Sequence, residues 1–233
     1  WVRVGISPFG IWRPGVPDGI EAGIDSFEHL AGDSRKWLKN GWVDYLAPQL
    51  YWRIAPRKQS FPLLLEWWRE QGGRPVWPGI ATARIQSSED PGRPASEITN
   101  QIDLSRKIGS GPQDHIHWSA KSLITNRGGI ASKLAGSYTQ VAAVPAMPWL
   151  NNNAPDAPGV SAQANGDGTL VRWTPNKGTA KIAIQTRVDG NWRTAKITSA
   201  GSGQTTVQRA DAIAVTALDR FGNASSPKVL GLR

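Results

Sequence analysis

The sequence predicts an α/β region followed by an all-β region, on three observations. Up to about residue 150, short apolar strand-like runs alternate with helical patterns. At "AMPWLNNNAPDAPGV" (146–160), Asn and Pro replace that periodicity. Beyond it, short Thr- and Val-rich runs alternate with turn signals over about 80 residues. The expected domains are therefore residues 1–150 and 155–233.

"VRVGISP" (2–8) reads as the first strand, followed by a Gly/Pro-rich loop. Residues 25–40 read as one helix, with Leu30, Trp37 and Leu38 on its apolar side and Gly41 as its stop. "VDYLAPQLYW" (43–52) is the second strand. "SFPLLLEWWREQGG" (60–73) is the second helix, with Ser60 as N-cap and Pro62 in the first turn. "RPVWPGIAT" (74–82) is the third strand and "SEITNQIDLSRKIG" (96–109) the third helix, with Ser96 at its N-cap. "DHIHWS" (114–119) is a fourth, short strand, and the helical stretch after it breaks around "NRGG" (126–129). Four β-then-α units predict a parallel sheet and match half of an eight-stranded β/α barrel. An open doubly wound sheet is the competing architecture, weakened by the absence of a Gly-rich phosphate-binding fingerprint.

In the second region Asp189-Gly190 is a strong two-residue hairpin signal, and Trp173 is the expected core Trp of a β-sandwich.

The chain has no Cys, which excludes disulfides and thiolate metal sites. No apolar run approaches the ~20 residues of a membrane helix. Net charge is +9, spread as 17 Lys+Arg against 13 Asp+Glu in residues 1–154 and 10 against 5 in 155–233. With no cluster of five or more Lys/Arg and no recognisable motif, nucleic acid is not an expected partner, and an anionic polymer such as a cell-wall glycan fits the charge better. Of the 12 Trp, 10 precede residue 155. Trp offers a flat apolar face and one N–H donor, a combination suited to sugar rings.

Strand parity selects the candidate site. Leu46 and Leu50 should face the helices, which turns Tyr45, Ala47, Gln49 and Tyr51 to the other side. By the same rule Arg3, Gly5 and Ser7, then Trp77 and Gly79, then His115 and His117 face inward, while Val2, Val4, Ile6, Val76, Ile80, Ile116 and Trp118 face outward. The substrate-binding candidates are Ser7, Phe9, Trp12, Gln49, Tyr51, Trp52, Trp77, Gly79 and His117. Gln49, Tyr51 and His117 would hydrogen-bond sugar hydroxyls, Phe9, Trp12 and Trp52 would stack, and Ser7 and Gly79 would keep the floor open. Glycoside hydrolysis uses two carboxylates, and none lies at a strand's C-terminal exit. Asp44 opens its strand, whereas Asp18, Glu21, Asp25, Glu28, Glu89 and Asp90 read as solvated loop charges or helix-start acids, and Glu97 as a first-turn acid. "HIH" (115–117) puts two His on one face with no third ligand, so no metal is expected, and no other cofactor. "GISPFG" is not a serine nucleophile elbow.

The segments "WVRVGISPFGIWRPG", "DSRKWLKNGWVDYLAPQLYW", "RPVWPGIAT", "HIHWSAKSL" and "VPAMPWL" together resemble glycosyl-hydrolase-like family 10. "DAPGV…GTLVRWTP…AIQTRV…AIAVTALDRFGNASSP" resembles a fibronectin type III-like domain. The first resemblance implies a bacterial glycosidase on a (β/α)8 barrel, exported to the periplasm or cell surface and acting on a polysaccharide, peptidoglycan glycan strands among its substrates. It also implies that Trp1 lies near the start of the fifth barrel strand. This chain would then be the C-terminal portion of the enzyme, with its catalytic acids on a missing N-terminal half that is its natural partner. Alone it would be inactive and would expose two raw sheet edges. The competing expectation is a non-catalytic carbohydrate-binding or adhesion module.

Overall fold

The computed structural model describes residues 2–109 and 114–232. The chain divides into two compact units, residues 1–137 and 138–233. Trp1, to which a place in the barrel was attached, lies outside the described residues.

The first unit is built on four short strands: β1 (Gly5–Ile6), β2 (Tyr45–Leu46), β3 (Gly79–Ile80) and β4 (Ile116–His117). β1 pairs with β2 and β3 with β4, both in parallel. Parallel bridges Leu46↔Val76 and Gln49↔Gly79 join the two pairs into one ladder in chain order. Only two residues of each expected strand hold regular ladder geometry. The extensions are carried by single bonds such as Ala47 N–H to Ile6 C=O at 2.8 Å and Gln49 N–H to Pro8 C=O at 3.0 Å. At the opposite end Asp44 fastens the sheet, its carboxylate accepting the Val4 N–H at 2.8 Å.

Leu46, Leu50, Val76 and Ile80 are buried with the apolar faces of the helices, and alternate residues take the other side. Val2, Val4 and Ile6, outward by the same parity, are exposed. On the inner side ring size is matched to glycine. A Cβ on Gly5 would lie 2.1 Å from the Tyr45 ring, so only glycine fits beneath it. Tyr45 then stacks on Trp77 with centroids 4.5 Å apart.

The helix expected over 25–40 is two: α1 (Ser26–Leu30) and α2 (Ser34–Lys39). Asp25 caps the first by accepting from the Phe27 and Glu28 N–H groups, and Asp33 caps the second through Lys36 N–H. Between them Ala31 is left-handed (φ 50) and ends the first helix, so "AGDS" is a stop followed by a start. The helix α3 (Phe61–Arg69) buries Phe61, Leu64, Leu65 and Trp68, the spacing of one helical face. Ser60 holds its N-cap position without a side-chain hydrogen bond. Trp68 Nε1–H donates to Gly10 C=O at 2.7 Å. Gly10 itself is packed so closely on β2 that a Cβ would meet Gln49 O at 2.2 Å. The helix α4 (Ala95–Lys107) starts two residues earlier than it would with Ser96 as its cap, and Pro94 holds the N-cap position. α5 (Ala120–Ile124) and α6 (Ile130–Leu134) flank the expected break at 126–129.

The second unit is a seven-stranded β-sandwich: β5 (Gly159–Asn165), β6 (Gly168–Thr174), β7 (Lys181–Val188), β8 (Asn191–Ser199), β9 (Gln204–Gln208), β10 (Ala212–Leu218) and β11 (Lys228–Gly231). One sheet has the order β5-β6-β9 and the other β11-β10-β7-β8, all pairs antiparallel. Val171, Ile182, Ile184, Ile213 and Val215 fill the space between them. Trp173 is in that core as expected, its Nε1–H donating to Ala200 C=O at 2.8 Å. Asp189 and Gly190 both have positive φ (49 and 78), the hairpin turn their sequence signals.

The chain from 138 to 158 is part of this unit. Met147 is fully buried, and its N–H donates to Phe221 C=O. Asp219 organises the turn it meets. One carboxylate oxygen accepts the Phe221 and Asn223 N–H groups at 2.8 Å each, and the other accepts the side-chain amides of Asn223 (2.8 Å) and Asn151 (3.3 Å). Gly222 (φ 90) lets the chain pass, since a Cβ there would meet Val144 O at 2.9 Å. Asp219→Ala should therefore cost about 2 kcal/mol, because it removes the acceptor of the Phe221 and Asn223 N–H groups and leaves the Asn223 amide only the Asn151 C=O. Hydrogen exchange along β10 reads this directly, and Asp167→Ala at an exposed turn serves as the silent control.

Candidate functional site

The C-terminal ends of β2, β3 and β4 surround a cavity of about 190 Å³ lined by Tyr51, Ala81, Ala83, Arg84, Ser87, Ser88, Glu89 and Trp118. Three chain segments make its walls, and each is fixed by a different bond. β4 is closed onto β3 by Trp118 N–H to Ile80 C=O (2.8 Å) and Ala83 N–H to Trp118 C=O (2.7 Å). The peptide between Trp118 and Ser119 is cis, and the Trp118 ring is 60% exposed at the rim.

The segment after β3 turns back on itself. Asp90 N–H donates to Ser87 C=O (3.2 Å), Arg93 N–H to Asp90 C=O (3.1 Å) and Gln86 N–H to Arg93 C=O (3.2 Å). Arg93, only 2% exposed, binds this turn to β2: Nε donates to Asp90 Oδ2 at 2.7 Å and Nη2 to Tyr51 C=O at 2.9 Å. Arg53, on the β2 exit, donates to both oxygens of the same carboxylate. Hydrogen bonds from Arg53, and then from Arg93, hold the Asp90 carboxyl below its ordinary range, against the opposing effect of burial.

The rest of the β2 exit is equally tied. Gln101 Nε2 donates to Trp52 C=O (2.8 Å), and Glu97 Oε1 accepts the Ile54 N–H (2.7 Å). Asp90 is thus no solvated loop charge, whereas Glu97 lies in the first turn of α4 as expected and takes on the Ile54 N–H besides. Each is spent on holding the strand exit.

Within the cavity Arg84 lies 6.0 Å over the Tyr51 ring and pairs with Glu89 at 3.2 Å. Burial raises the Tyr51 phenol, partly offset by Arg84, so it stays a neutral donor at physiological pH. Behind this wall Thr82, fully buried, puts its hydroxyl 2.7 Å from His117 Nδ1. The His115 and His117 rings meet edge-on at 5.0 Å. Burial lowers both, and His115 falls to about 4 under the added charge of His117 and Arg106. Among the described residues no group of three or more His, Cys, Asp or Glu could hold a metal ion.

The residues singled out by parity divide into two sets. Gly79 receives the Tyr51 ring, whose Cε1 would lie 3.5 Å from a Cβ. Gln49 bridges Gly79 and Phe9 in the ladder, and its amide donates to Ser7 C=O at 3.1 Å. Ser7 and Phe9 are exposed beside it, and His117 stands at the end of β4. These six follow the strand exits. Trp77 sits lower, stacked on Tyr45. Trp52 packs over Gly10 against the core. Trp12 leaves the exits altogether: it stacks on Trp67 at 6.0 Å, meets Phe27 edge-on at 5.8 Å and carries Arg35 5.1 Å above its ring.

Arg84, Ser87, Ser88, Glu89 and Trp118 were not among the expected site residues, although all line the cavity. Trp118 falls one residue past the last ladder pair, where two-residue parity no longer governs direction. The others lie in "TARIQSSED", directly after a strand exit, which was the available signal.

Comparison with known proteins bears on what this site does. Residues 1–90 match the family model Glycosyl hydrolase-like 10. Glycosyl hydrolase YngK of Bacillus subtilis is 36% identical over 200 residues, which cover 79% of this chain and 39% of that protein. Glycosyl hydrolase DigH of Escherichia coli K12 is 32% identical over 72 residues, 30% of this chain and 16% of that protein. The chain thus spans about two fifths of YngK and less of DigH. The spore cortex lytic enzyme SleM of Clostridium perfringens aligns with 89% of this chain and 85% of its own at 13% identity and a TM-score of 0.28, too low to assign a fold. The family match and the two sequence relatives support a glycosyl-hydrolase-like family for this protein.

Acid should loosen this unit from two directions. A buried neutral His with a folded value of about 4 against an ordinary 6.5 gives the unfolded chain the greater proton affinity in between. Stability should therefore fall as pH drops from 6.5 towards 4, by at most about 3 kcal/mol. The depressed Asp90 carboxyl adds a further loss at lower pH. Urea unfolding at a series of pH values reads the slope, and His115→Gln should flatten it in the upper window.

Proposed function

We propose that this chain supplies the sugar-binding face of a glycoside hydrolase that cleaves O-glycosyl bonds of a polysaccharide, bacterial peptidoglycan glycan strands being the substrate in view. The observation that carries the reading is the cavity at the exits of β2, β3 and β4. There one Trp face, one Tyr, two Ser hydroxyls and an Arg–Glu pair converge, the mix of stacking surface and hydrogen-bonding groups that a pyranose ring requires. Gln49, Gly79, Ser7, Phe9 and His117 extend that surface along the ladder, with Trp52 and Trp77 as the supporting aromatics and Trp12 outside it.

The four parallel β/α units are, on this reading, the second half of a (β/α)8 barrel spanning about the first 150 residues. The sandwich from about 155 is a fibronectin type III-like appendage, a reading supported by its β5-β6-β9 and β11-β10-β7-β8 sheets. Glu89 is the one carboxylate among the residues lining the cavity, and Arg84 holds it as an anion partner. Hydrolysis uses a second carboxylate. That pair would come from the remainder of a longer exported protein, the partner of this chain. The same lone carboxylate is what favours the second reading, a non-catalytic carbohydrate-binding module.

Calorimetric titration of the 233-residue chain with N-acetylglucosamine tetramer and with peptide-free peptidoglycan strands should show binding without hydrolysis. Trp118→Ala should weaken it about fivefold, in line with the ~1 kcal/mol of a stacked aromatic contact. Turnover by this chain alone, abolished by Glu89→Gln, would overturn the assignment of catalysis to other residues. A longer protein that binds the same glycans and never cleaves them would select the second reading.

A further inference from the structure

We propose that the second unit has a binding site of its own, at one end of its three-stranded sheet, where Arg172 takes a carboxylate of an acidic polysaccharide. The site is independent of the cavity in the first unit and of what that cavity binds.

A cavity of about 360 Å³ opens where β5 begins, β6 ends and the turn before β9 closes. Gly159, Ser161, Arg172, Thr174 and Gly203 line it, and the core residue Trp173 borders it. Antiparallel pairing sets these residues in rows. Gly159 lies opposite Thr174, and Ser161 lies opposite Arg172, which in turn lies opposite Gln204. Ser161, Arg172, Thr174 and Gln204 are exposed while Val171 and Trp173 between them are buried, so the four share the outer face of the sheet. Glycine makes the hollow. Gly159 puts no side chain beside Thr174, and Gly203 (φ 68) holds a left-handed turn where a Cβ would meet nothing within 4 Å.

Arg172 is the one charged residue in β5, β6 and β9. Among the described residues, neither its guanidinium nor the hydroxyls of Ser161 and Thr174 have a hydrogen-bond or ion-pair partner. The cation is therefore not committed to a carboxylate of the protein. A guanidinium fork presents parallel N–H groups that match the two oxygens of a carboxylate. A single positive charge also balances a carboxylate, whereas a phosphate dianion would remain half neutralised. The groups beside it are hydroxyls and the Gln204 amide, which both donate and accept as sugar hydroxyls do. Residues 155–233 hold 10 Lys+Arg against 5 Asp+Glu, a net charge of +5 that draws a polyanion to this unit.

Backbone 1H–15N spectra of the full chain at neutral pH, titrated with glucuronic acid and with glucose as its neutral twin, test the proposal. Glucuronate should shift the Gly159, Ser161 and Gly203 amides saturably, and glucose should leave them in place. Arg172→Gln should weaken the response about fivefold, the upper range for an exposed ion pair. Gly159→Leu, which keeps the charge and fills the hollow, should weaken it too. Equal shifts with glucose, or an undiminished response in Arg172→Gln, would overturn the proposal. So would shifts confined to the first unit, whatever they say about the cavity there. Binding of N-acetyl-aspartate or methyl phosphate as tight as that of glucuronate would overturn the choice of a sugar carboxylate.

Discussion

The buried guanidinium of Arg93 is the contact on which the candidate site depends. A charge almost removed from water is tolerable only where it is paired, and here the partners of its Nε and Nη2 are parts of two different cavity walls. The Tyr51 carbonyl belongs to the β2 exit, and Asp90 belongs to the turn that carries Ser87, Ser88 and Glu89. Arg53 approaches Asp90 from the β2 side and doubles the tie. A ladder with two regular pairs per strand has little register of its own beyond the last pair. The arginine and carboxylate cluster supplies what the sheet lacks at the point where loops begin.

Glycine plays the complementary part. Gly5 lies under Tyr45, Gly79 under Tyr51, and Gly10 against the Gln49 carbonyl. Each removes a side chain where a ring or a neighbouring strand must come close, so the inner side is filled by rings reaching across strands. The aromatic count of the first unit is thereby shared between two jobs. Trp68, Trp12 and Trp67 consolidate helices, whereas Trp118 alone presents a largely open ring to the cavity.

Much of this was legible in the sequence, for identifiable reasons. Period-two alternation in "VDYLAPQLYW" separated Leu46 and Leu50 from Gln49 and Tyr51, because one face is buried against helices. Asp189-Gly190 announced its hairpin through the positive φ both residues adopt. The break between α1 and α2 was overlooked because Asp33 is a cap only once Ala31 has turned left-handed. Asp90 and Glu97 were illegible as structural groups, since Arg53, Arg93 and the Ile54 amide reach them through the fold. Trp118 was lost to a parity rule carried one residue too far.

The central claim is that the exits of β2, β3 and β4, closed around Tyr51 and Trp118, are where this protein holds a sugar. The indole N–H signals of the tryptophans report on it residue by residue. On adding N-acetylglucosamine tetramer, the Trp118 indole should move while those of Trp12 and Trp192 stay in place. Movement of Trp12 or Trp192 with Trp118 unchanged would put the sugar elsewhere and contradict the account.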